Sequence, residues 1–528
     1  MYDSLINNFT SGEITPKLGG RPDLGLYHSG AAQIENFLLM LQGGLTRRPG
    51  TVKVATLTNP CRLIPFTISV DLSFILELSN LQMIIRKSDG SLYGVTTVTE
   101  YLESELSEIQ FTQDYKSLYL VHRNHAPRVL NYLGGSFTWG PLIPSTMDED
   151  GTLFQATGDY PGCVAYCSNR LWLASSTNQP YRLWASRPFD PLNFETYDVV
   201  TSTENVIKDA PWPDGWEDDQ TLIYEVSVTT RDTISSDNAM ILEVGSNRND
   251  RIEWLIVGQN LIVGTASGEW IMPGNIDALN QQIVQTSAYG SGPIQALNVN
   301  NDVLYIQSGK MRCRGYVNAE GGYSSPDLTY IADHILKEGV KEWVFQRVPE
   351  PRIFVVLDNG DMAVLSYNKM YGIQGWTRWT FDGSVQSVIV LDKATGQDVC
   401  IAIERNEVCY LEKFDEGSEV FSDQHETGGT PIAFESIMKS NRFETTIDSG
   451  STIGKRKKIN EIIFRLLDSG AFKAGYDKLE TYPDDVASGD VRIRLGGGYE
   501  KELQMEVHSI DDNPLTVLAM VYGLEVGK

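Results

Sequence analysis

Short apolar stretches alternate with polar loops along most of this chain. Between Cys163 and Trp184, the sequence CVAYCSNRLWLASSTNQPYRLW contains two short apolar stretches, a polar loop and a third stretch that ends in tryptophan. Alternation of large apolar and small or polar side chains over so few residues is typical of half-buried β-strands rather than of a helix. The Asn-Gln-Pro sequence cannot continue a strand ladder, so it predicts a turn. The segment is therefore predicted to form antiparallel strands.

The same pattern occurs seven times in all. Its copies begin at Phe74, Leu118, Leu171, Leu261, Leu304, Ile353 and Cys400. Five of the six spacings lie between 43 and 53 residues, and the other is 90 residues. A propeller blade repeats at about 40 to 50 residues, and radial repetition lets each antiparallel meander cover the apolar face of the next. We predict an all-β fold, a β-propeller of about seven or eight blades, with one or two large β-sandwiches as the alternative.

The sequence predicts three regions. An irregular, glycine-rich N-terminal segment covers residues 1–60, with one short helix from Ser29 through Leu41, because Ile34, Phe37, Leu38 and Leu41 share a helical face. The propeller body covers 61–416, where the 90-residue spacing indicates a missed blade or an acidic insertion at about 202–251. A small C-terminal β domain covers 417–528.

Charge and composition limit the classes of function. The chain has 41% hydrophobic and 10% aromatic residues, as expected of a globular protein, and a net charge of −26. About −25 of that charge falls on residues 61–450, because the two ends are nearly balanced. Such a body should repel phosphate, which disfavours nucleic-acid binding through a basic surface. With no long apolar run and no N-terminal signal pattern, we expect neither a membrane span nor standard secretion.

Candidate chemical motifs are incomplete. Gly450, Gly454 and Lys455 resemble a phosphate loop with the wrong spacing, and the pair His122 and His125 lacks the partners of a metal site. The turn from Asp358 to Asp361 is explained by hairpin chemistry without calcium. Six cysteines without a C-x-x-C spacing are expected to be reduced core residues. We therefore predict no catalytic, cofactor-binding or metal-binding residues, and no enzyme.

Several longer runs carry a resemblance to a known family. They are SGEITPKLGGRPDLGLYHSGAAQIENFLLMLQGGLTRRPGT from Ser11, RLWLASSTNQPYRLWASRPFDPLNF from Arg170, LIVGTASGEWIM from Leu261, SAYGSGPIQALNVNNDVLYIQSG from Ser287, YSSPDLTYIADHI from Tyr323, IGKRKKINEIIFRLLDSGAFKAG from Ile453 and DNPLTVLAMVYGLEVGK from Asp512. In this order they resemble the tail tubular protein B or tail nozzle proteins of short-tailed, podovirus-type bacteriophages. Each run alone is a weak pattern, and only about thirty residues separate the last repeat from the closing domain, whereas longer relatives carry inserted domains.

The resemblance implies a structural virion protein made in the host cytoplasm. It would form a homohexameric ring in the short tail, below an adaptor ring on the portal side and beside other tail components such as fibres or a plug. Phage DNA would pass through the ring without specific binding during genome ejection, so we expect its wall to be neutral or acidic. The alternatives are a propeller glycoside hydrolase or sugar-binding protein acting on the host surface, in which acids such as Asp148, Asp150, Asp218 and Asp219 would act, and a monomeric binding module.

Eight residues are candidate contacts between subunits. Arg47 and Arg48 could bind carboxylates, although they could equally be surface charges. Trp212 and Trp216 lie in the acidic insertion, where exposed tryptophans would indicate a partner unless they fold back onto the propeller. Lys455, Arg456, Lys457 and Lys458 form a basic cluster that either contacts an acidic face of a neighbour or is a solvated strand edge that discourages aggregation.

Overall fold

In the computed structural model, the fold is almost entirely β. The residues it describes are 2–58, 60–144, 153–207, 223–245, 250–258, 260–274, 276–279, 282–319, 322–417, 420–425, 430–444, 446–447, 450–482 and 487–527. The chain forms two compact units, one of Met1–Glu108 with Tyr289–Lys528 and one of Ile109–Ala288. No helix in these ranges is long and apolar enough to cross a membrane. The predicted all-β, β-propeller fold is confirmed.

Six short strands precede the first repeat. They are β1 (Tyr2–Ile6), β2 (Gly12–Glu13), β3 (Gly30–Glu35), β4 (Phe37–Leu39), β5 (Leu45–Arg47) and β6 (Thr51–Leu57), with a 3-10 turn at Pro16–Leu18 and a four-residue helix α1 at Gly25–His28.

The helix predicted from Ser29 through Leu41 is wrong. Strands β3 and β4 occupy most of that range, and Asn36 between them has a positive φ of 56°. Strand β3 is extended because its backbone pairs with β2 on one side and with Ile437–Ser440 on the other. The apolar spacing fitted both structures, and long-range pairing decided between them.

In the described residues, seven groups of four antiparallel strands, the repeat sheets, follow in chain order; six are separate four-stranded sheets, and the sixth of the seven is part of a ten-stranded sheet. The first, in the unit that contains the chain ends, consists of β7 (Cys61–Ser69), β8 (Leu72–Ser79), β9 (Gln82–Lys87) and β10 (Leu92–Val98), followed by a 3-10 helix at Glu103–Glu108. The other unit holds the next three. They are formed by β11 (Gln110–Asp114), β12 (Ser117–His122), β13 (His125–Leu133) and β14 (Ser136–Pro141); by β15 (Cys163–Cys167), β16 (Arg170–Ala174), β17 (Arg182–Ala185) and β20 (Met240–Glu243); and by β21 (Ile252–Val257), β22 (Leu261–Thr265), β23 (Glu269–Met272) and β24 (Val284–Ser287).

The last three sheets belong to the first unit. They are formed by β25 (Leu297–Val299), β26 (Asp302–Ile306), β27 (Cys313–Ala319) and β28 (Gly322–Ser324); by β29 (Val340–Gln346), β30 (Arg352–Leu357), β31 (Met362–Asn368) and β32 (Ile373–Trp379), with a 3-10 turn at Lys369–Tyr371; and by β33 (Ser384–Lys393), β34 (Gly396–Arg405) and β35 (Val408–Phe414). Strand β6 from the N-terminal segment is the fourth strand of the seventh sheet, because it pairs with β35. The seventh sheet thus contains three strands from the last repeat and one strand that precedes the first repeat.

Each predicted repeat corresponds to one sheet. All seven copies begin in the second strand of a sheet, namely β8, β12, β16, β22, β26, β30 and β34. The 90-residue spacing contains an insertion rather than a missed blade: a two-stranded ribbon of β18 (Asp198–Ile207) and β19 (Ile223–Thr233) between β17 and β20. Its connection, 208–222, lies outside the described residues.

The apolar residues of the repeats form cores between neighbouring sheets. In the second unit, Trp172 and Leu261 belong to one cluster built from the third and fourth sheets. In the first unit, Phe354 packs in a cluster of the sixth and seventh sheets. These residues and Tyr305 are fully buried.

The C-terminal strands pair with the N-terminal ones. They are β36 (Ser422–Asp423), β37 (Ile432–Ala433), β38 (Ile437–Ser440), β39 (Thr446–Ile447), β40 (Gly450–Ser451), β41 (Lys457–Ser469), β42 (Phe472–Gly475), β43 (Glu480–Tyr482), β44 (Ala487–Arg494), β45 (Glu506–Ser509) and β46 (Thr516–Val526). One sheet has the order β4-β5-β46-β41-β44, with β1 also on β46. The sixth repeat sheet continues through β2 and β3 into β38, β45, β42 and β43. We call strands β1 to β5 and β36 to β46, with their connections, the terminal region.

Candidate functional site

The terminal region unites the two ends of the chain around one apolar core. The core contains Phe9 and Phe37 from the N-terminal segment and Phe464, Phe472 and Met520 from the C-terminal part, all at most 2% exposed. The sequence runs that begin at Ser11, Ile453 and Asp512 therefore supply strands to adjoining sheets. This region is the candidate functional site, because it contains most of the predicted contact residues.

Arg47, at the end of β5, is buried among backbone carbonyl groups. It is 2% exposed, and its Nη1 donates to the backbone oxygens of Asp511 at 2.6 Å and Asn513 at 2.9 Å. Its Nε donates to the Ser436 hydroxyl at 3.2 Å. Burial lowers the pKa of Arg47 to about 10, with a smaller contribution from neighbouring Arg48. The guanidinium thus holds β5 against connections that lie almost 400 residues or more away in sequence.

Arg48 forms a buried, bidentate ion pair with Asp423. Its Nη1 and Nη2 lie 2.8 and 2.7 Å from the two carboxylate oxygens, and neither side chain is more than 1% exposed. Its Nε donates to Asn36 Oδ1 at 3.0 Å, and its guanidinium carbon lies 3.5 Å from the centre of the Phe434 ring. Matched forks of this kind are the strongest charge-assisted hydrogen bonds in proteins.

The assignment of these two arginines to a subunit interface therefore needs correction. Their hydrogen bonds go to partners within the same chain, and their side chains are almost completely removed from the surface. A guanidinium in this position cannot contact a neighbour unless the terminal region opens. Arg48 does bind a carboxylate, whereas Arg47 donates to backbone oxygens and a hydroxyl, and the sequence could not show that these partners are internal.

Glu13 is a buried anchor that the sequence analysis missed. Its Oε2 accepts from the Ile34 amide at 2.8 Å, and its Oε1 lies 2.7 Å from His334 Nε2 and 2.9 Å from Arg378 Nη2. The carboxylate is 0% exposed. It joins β2, β3 and β32. The only local signal was its position directly after a glycine in an otherwise uncharged stretch.

Gly12 makes that placement possible. Its φ is +67°, and a Cβ there would lie 2.4 Å from the Trp376 nitrogen and 2.6 Å from its oxygen. Gly375 faces it, and a Cβ at Gly375 would lie 2.8 Å from the Gly12 nitrogen. Two backbones therefore cross at a distance that only glycine permits.

The basic cluster is divided between interior and surface. Lys457 is 0% exposed, and its Nζ lies 2.8 Å from Glu444 Oε1. Because β41 alternates in facing the core, Lys457 points to the same side as buried Ile459, so its assignment to a contact surface is wrong. Arg456 is exposed, and Lys455 and Lys458 are partly exposed. Trp212 and Trp216 lie outside the described residues.

The other chemical candidates lie outside this region. The His122 and His125 rings lie 5.2 Å apart, and His122 Nδ1 accepts from the Asn124 amide at 3.2 Å. Asp361 belongs to a turn, since its amide donates to Asn359 Oδ1 at 3.0 Å. All six cysteines are buried and unbridged, as predicted. The acids Asp148, Asp150, Asp218 and Asp219 lie outside the described residues.

Comparison with known proteins yields similarities at the level of solved structures alone. No family model and no curated protein sequence matches the chain. Among solved structures, the WD40 domain of Neurospora crassa Pan2 is 9% identical, with a TM-score of 0.39, and the match covers 71% of this chain and 96% of that one. BBS1N, solved in complex with ARL6DN, is 10% identical with a TM-score of 0.39, and the match covers 70% and 98%. Chaetomium thermophilum Raptor is 7% identical with a TM-score of 0.40, and the match covers 70% and 30%. TM-scores this low support no conclusion about function.

Proposed function

We propose that this chain is a structural subunit of a short bacteriophage tail, a tail nozzle or tubular protein that assembles into a homohexameric ring for genome ejection. The single observation that carries the proposal is the terminal region. Three of the sequence runs that resemble the phage family, from Ser11, Ile453 and Asp512, are separated by hundreds of residues, yet they pair in adjoining sheets around one core. Parts that must interlock have a reason to keep matching motifs in a fixed order.

The contacts of this region suit a structural role. Buried Arg48 and Glu13 connect the N-terminal strands both to the C-terminal strands and to the sixth repeat sheet. Breaking such a pair leaves a buried charge without its partner, so opening the region should cost considerable free energy. A ring through which DNA is driven requires subunits whose ends do not unravel.

The charge distribution is consistent with a conduit. About −25 of the net charge of −26 falls on residues 61–450. Acidic groups within about 8 to 10 Å of passing DNA would repel its phosphates, whereas lysine and arginine would add affinity and slow ejection. In the proposed ring, the wall of the channel carries the acidic groups, and the adaptor ring binds a surface other than this wall.

Exposed Arg456, with Lys455 and Lys458, provides the proposed contact to an acidic face of a neighbouring subunit. The test is the oligomeric mass of the purified chain, measured by light scattering at low and high salt, alone and with the tail adaptor protein of the same phage. We expect a ring of six subunits, weakened by Arg456→Glu. Arg492→Glu is the matched control, because Arg492 lies on β44, the neighbour of β41, and its side chain is 65% exposed.

Two results would contradict the proposal. The first is a protein that stays monomeric with the adaptor and is absent, by mass spectrometry, from purified virions of the phage that encodes it. The second is hydrolysis of a host polysaccharide by the monomer, which would favour the glycosidase alternative.

A further inference from the structure

A cavity of about 250 Å³ lies within the unit that contains the chain ends. It is bordered by the first strands of three repeat sheets, β7, β29 and β33, and by the 3-10 helix at Glu103–Glu108. Its polar lining includes Arg62, Glu103, Ser104, Lys341, Glu342 and Gln386. Neither the proposed ring nor the terminal region uses it.

One wall of the cavity is fixed by a saturated carboxylate. Glu342 Oε1 accepts from Arg62 Nε at 3.0 Å, while Oε2 accepts from the Val388 amide at 3.2 Å and from the Ser387 hydroxyl at 2.5 Å. Arg62 Nη1 donates to the Leu106 backbone oxygen at 2.6 Å, which holds the 3-10 helix in place. The lining is therefore rigid before any ligand arrives.

Lys341 has spare donor capacity in this rigid wall. Its Nζ donates to Gln386 Oε1 at 3.2 Å, and Gln386 Nε2 donates in turn to Glu404 Oε2 at 3.0 Å. An ammonium has three donors, so the bond to Gln386 leaves two. In the described part of the chain, no carboxylate lies within ion-pair distance of Lys341, and burial lowers its pKa. An anion in the cavity would complete its bonding.

The rest of the lining restricts the anion. Glu342 and Glu103 add two carboxylates, which disfavour a doubly charged ligand such as phosphate. At the exposed side, Ser104, Ser107 and Glu103 offer donors and acceptors suited to hydroxyl groups. The volume lies just below the usual range of about 300 to 1,000 Å³ for small-molecule pockets, so the ligand should be about the size of a single sugar.

We propose that this cavity binds a small hydroxylated monocarboxylate, with Lys341 holding the carboxylate and the Glu103–Ser107 side holding the hydroxyl groups. Such a ligand uses the two remaining ammonium donors and satisfies the polar mouth at the same time. The site is independent of the ring proposed above, because it needs residues of one unit of one chain.

The experiment is calorimetric titration of the full chain with D-glucuronate at low ionic strength, compared with acetate, D-glucose and inorganic phosphate. We expect glucuronate to bind, acetate to bind more weakly, and glucose and phosphate not to bind. Lys341→Met should weaken glucuronate binding about 10- to 100-fold, the effect of removing a charged hydrogen-bond partner. Lys337→Met is the matched control, since its side chain is 69% exposed on the same unit, and it should change nothing.

A second pair of variants separates the two ends of the ligand and guards against misfolding. The double variant Ser104→Ala with Ser107→Ala should weaken glucuronate but leave acetate unchanged. If Lys341→Met lowers the urea midpoint, Lys341→Gln keeps a polar amide beside Gln386 Oε1 but removes the ammonium, and it should abolish binding in a folded protein. Any one of four results would overturn the proposal. They are glucose binding as tightly as glucuronate, phosphate binding more tightly than glucuronate, no binding of glucuronate, and unchanged glucuronate binding in both the Lys341 variants and the double serine variant.

Discussion

The repeat sheets and the terminal region are both built of β-strands but are held together differently. In the repeats, consecutive strands pair across short turns, as β30 pairs with β31, and all six residues of β30 are buried. In the terminal region, β3 pairs with β38 about four hundred residues later. Its interior contains charged groups, Arg48 and Glu13 among them, beside its apolar core.

The two designs respond differently to damage. An apolar core loses stability in proportion to the area and cavity created, whereas a buried ion pair that loses one member leaves the other charge unpaired. Apolar packing tolerates small shifts, but bidentate hydrogen bonds and close backbone crossings do not. The terminal region should therefore be more specific in geometry and more sensitive to single changes.

The largest expected effect is at the buried pair. Arg48→Ala leaves the Asp423 carboxylate, which is 1% exposed, without its ion-pair partner. We therefore expect a loss of about 3 to 5 kcal/mol in the free energy of unfolding. Urea denaturation followed by tryptophan fluorescence measures it. Arg456→Ala, on the exposed part of the same region, should change stability by about 0.5 kcal/mol or less.

A double variant sharpens this prediction. Arg48→Ala with Asp423→Ala removes both charges and should recover part of the loss, since no unpaired carboxylate is left. If the double variant loses more free energy of unfolding than the two single variants together, the explanation by an unpaired buried charge is refuted.

The repeat core gives the next effect. Leu261→Ala removes a fully buried side chain between the third and fourth sheets, and we expect a loss of roughly 3 kcal/mol. Val284→Ala, at a side chain 47% exposed in the same sheet as Leu261, is the control and should cost far less. Equal losses from both variants would mean that the core assignment fails.

The next smaller effect is expected where the backbone at Gly12 approaches the backbone of Trp376. Gly12→Ala forces a Cβ against the Trp376 backbone at a positive φ, and we expect a loss of about 2 kcal/mol together with faster proteolysis near the N-terminus. Gly20→Ala is the comparison, because nothing lies within 4 Å of a Cβ there. If both substitutions are equally mild, β2 does not make this close approach in solution.

The smallest effect is at an exposed pair on β41 and β44. Arg465 Nε lies 2.8 Å from Asp490 Oδ1, and this hydrogen bond holds the pKa of Asp490 below its ordinary value. A carboxyl whose pKa is lowered in the folded state stabilises the fold at pH values above its ordinary pKa. This contribution disappears as the pH falls through the pKa of the folded state. Asp490→Asn should therefore lower the urea midpoint slightly at neutral pH, and the difference should disappear as the pH falls below the ordinary pKa of an aspartate. A difference that grows in acid would contradict this sign.

The repeats were predictable because their information is local. Each copy from Phe74 to Cys400 contains both the alternation of a strand and the turn that follows it, so spacing alone located seven repeats, whereas the structure decided that the long gap contains an insertion and not an eighth blade. The same local pattern misled at Ile34 and Phe37, where helix and strand bury the same residues. No local feature distinguished Lys457 from its neighbours as a buried residue.

By itself, the sequence determined the all-β class, the positions of the seven repeats, the burial of their large apolar residues and the residue types able to bind carboxylates. Tertiary structure alone decided which charges are internal, because Arg47, Arg48 and Glu13 find their partners hundreds of residues away. It also brought Lys341, Gln386 and Glu103 to one cavity from three separate elements. The physical reason is that alternation and turn chemistry act between neighbours, whereas buried polar groups are satisfied by whichever distant partner the completed fold brings within hydrogen-bond distance.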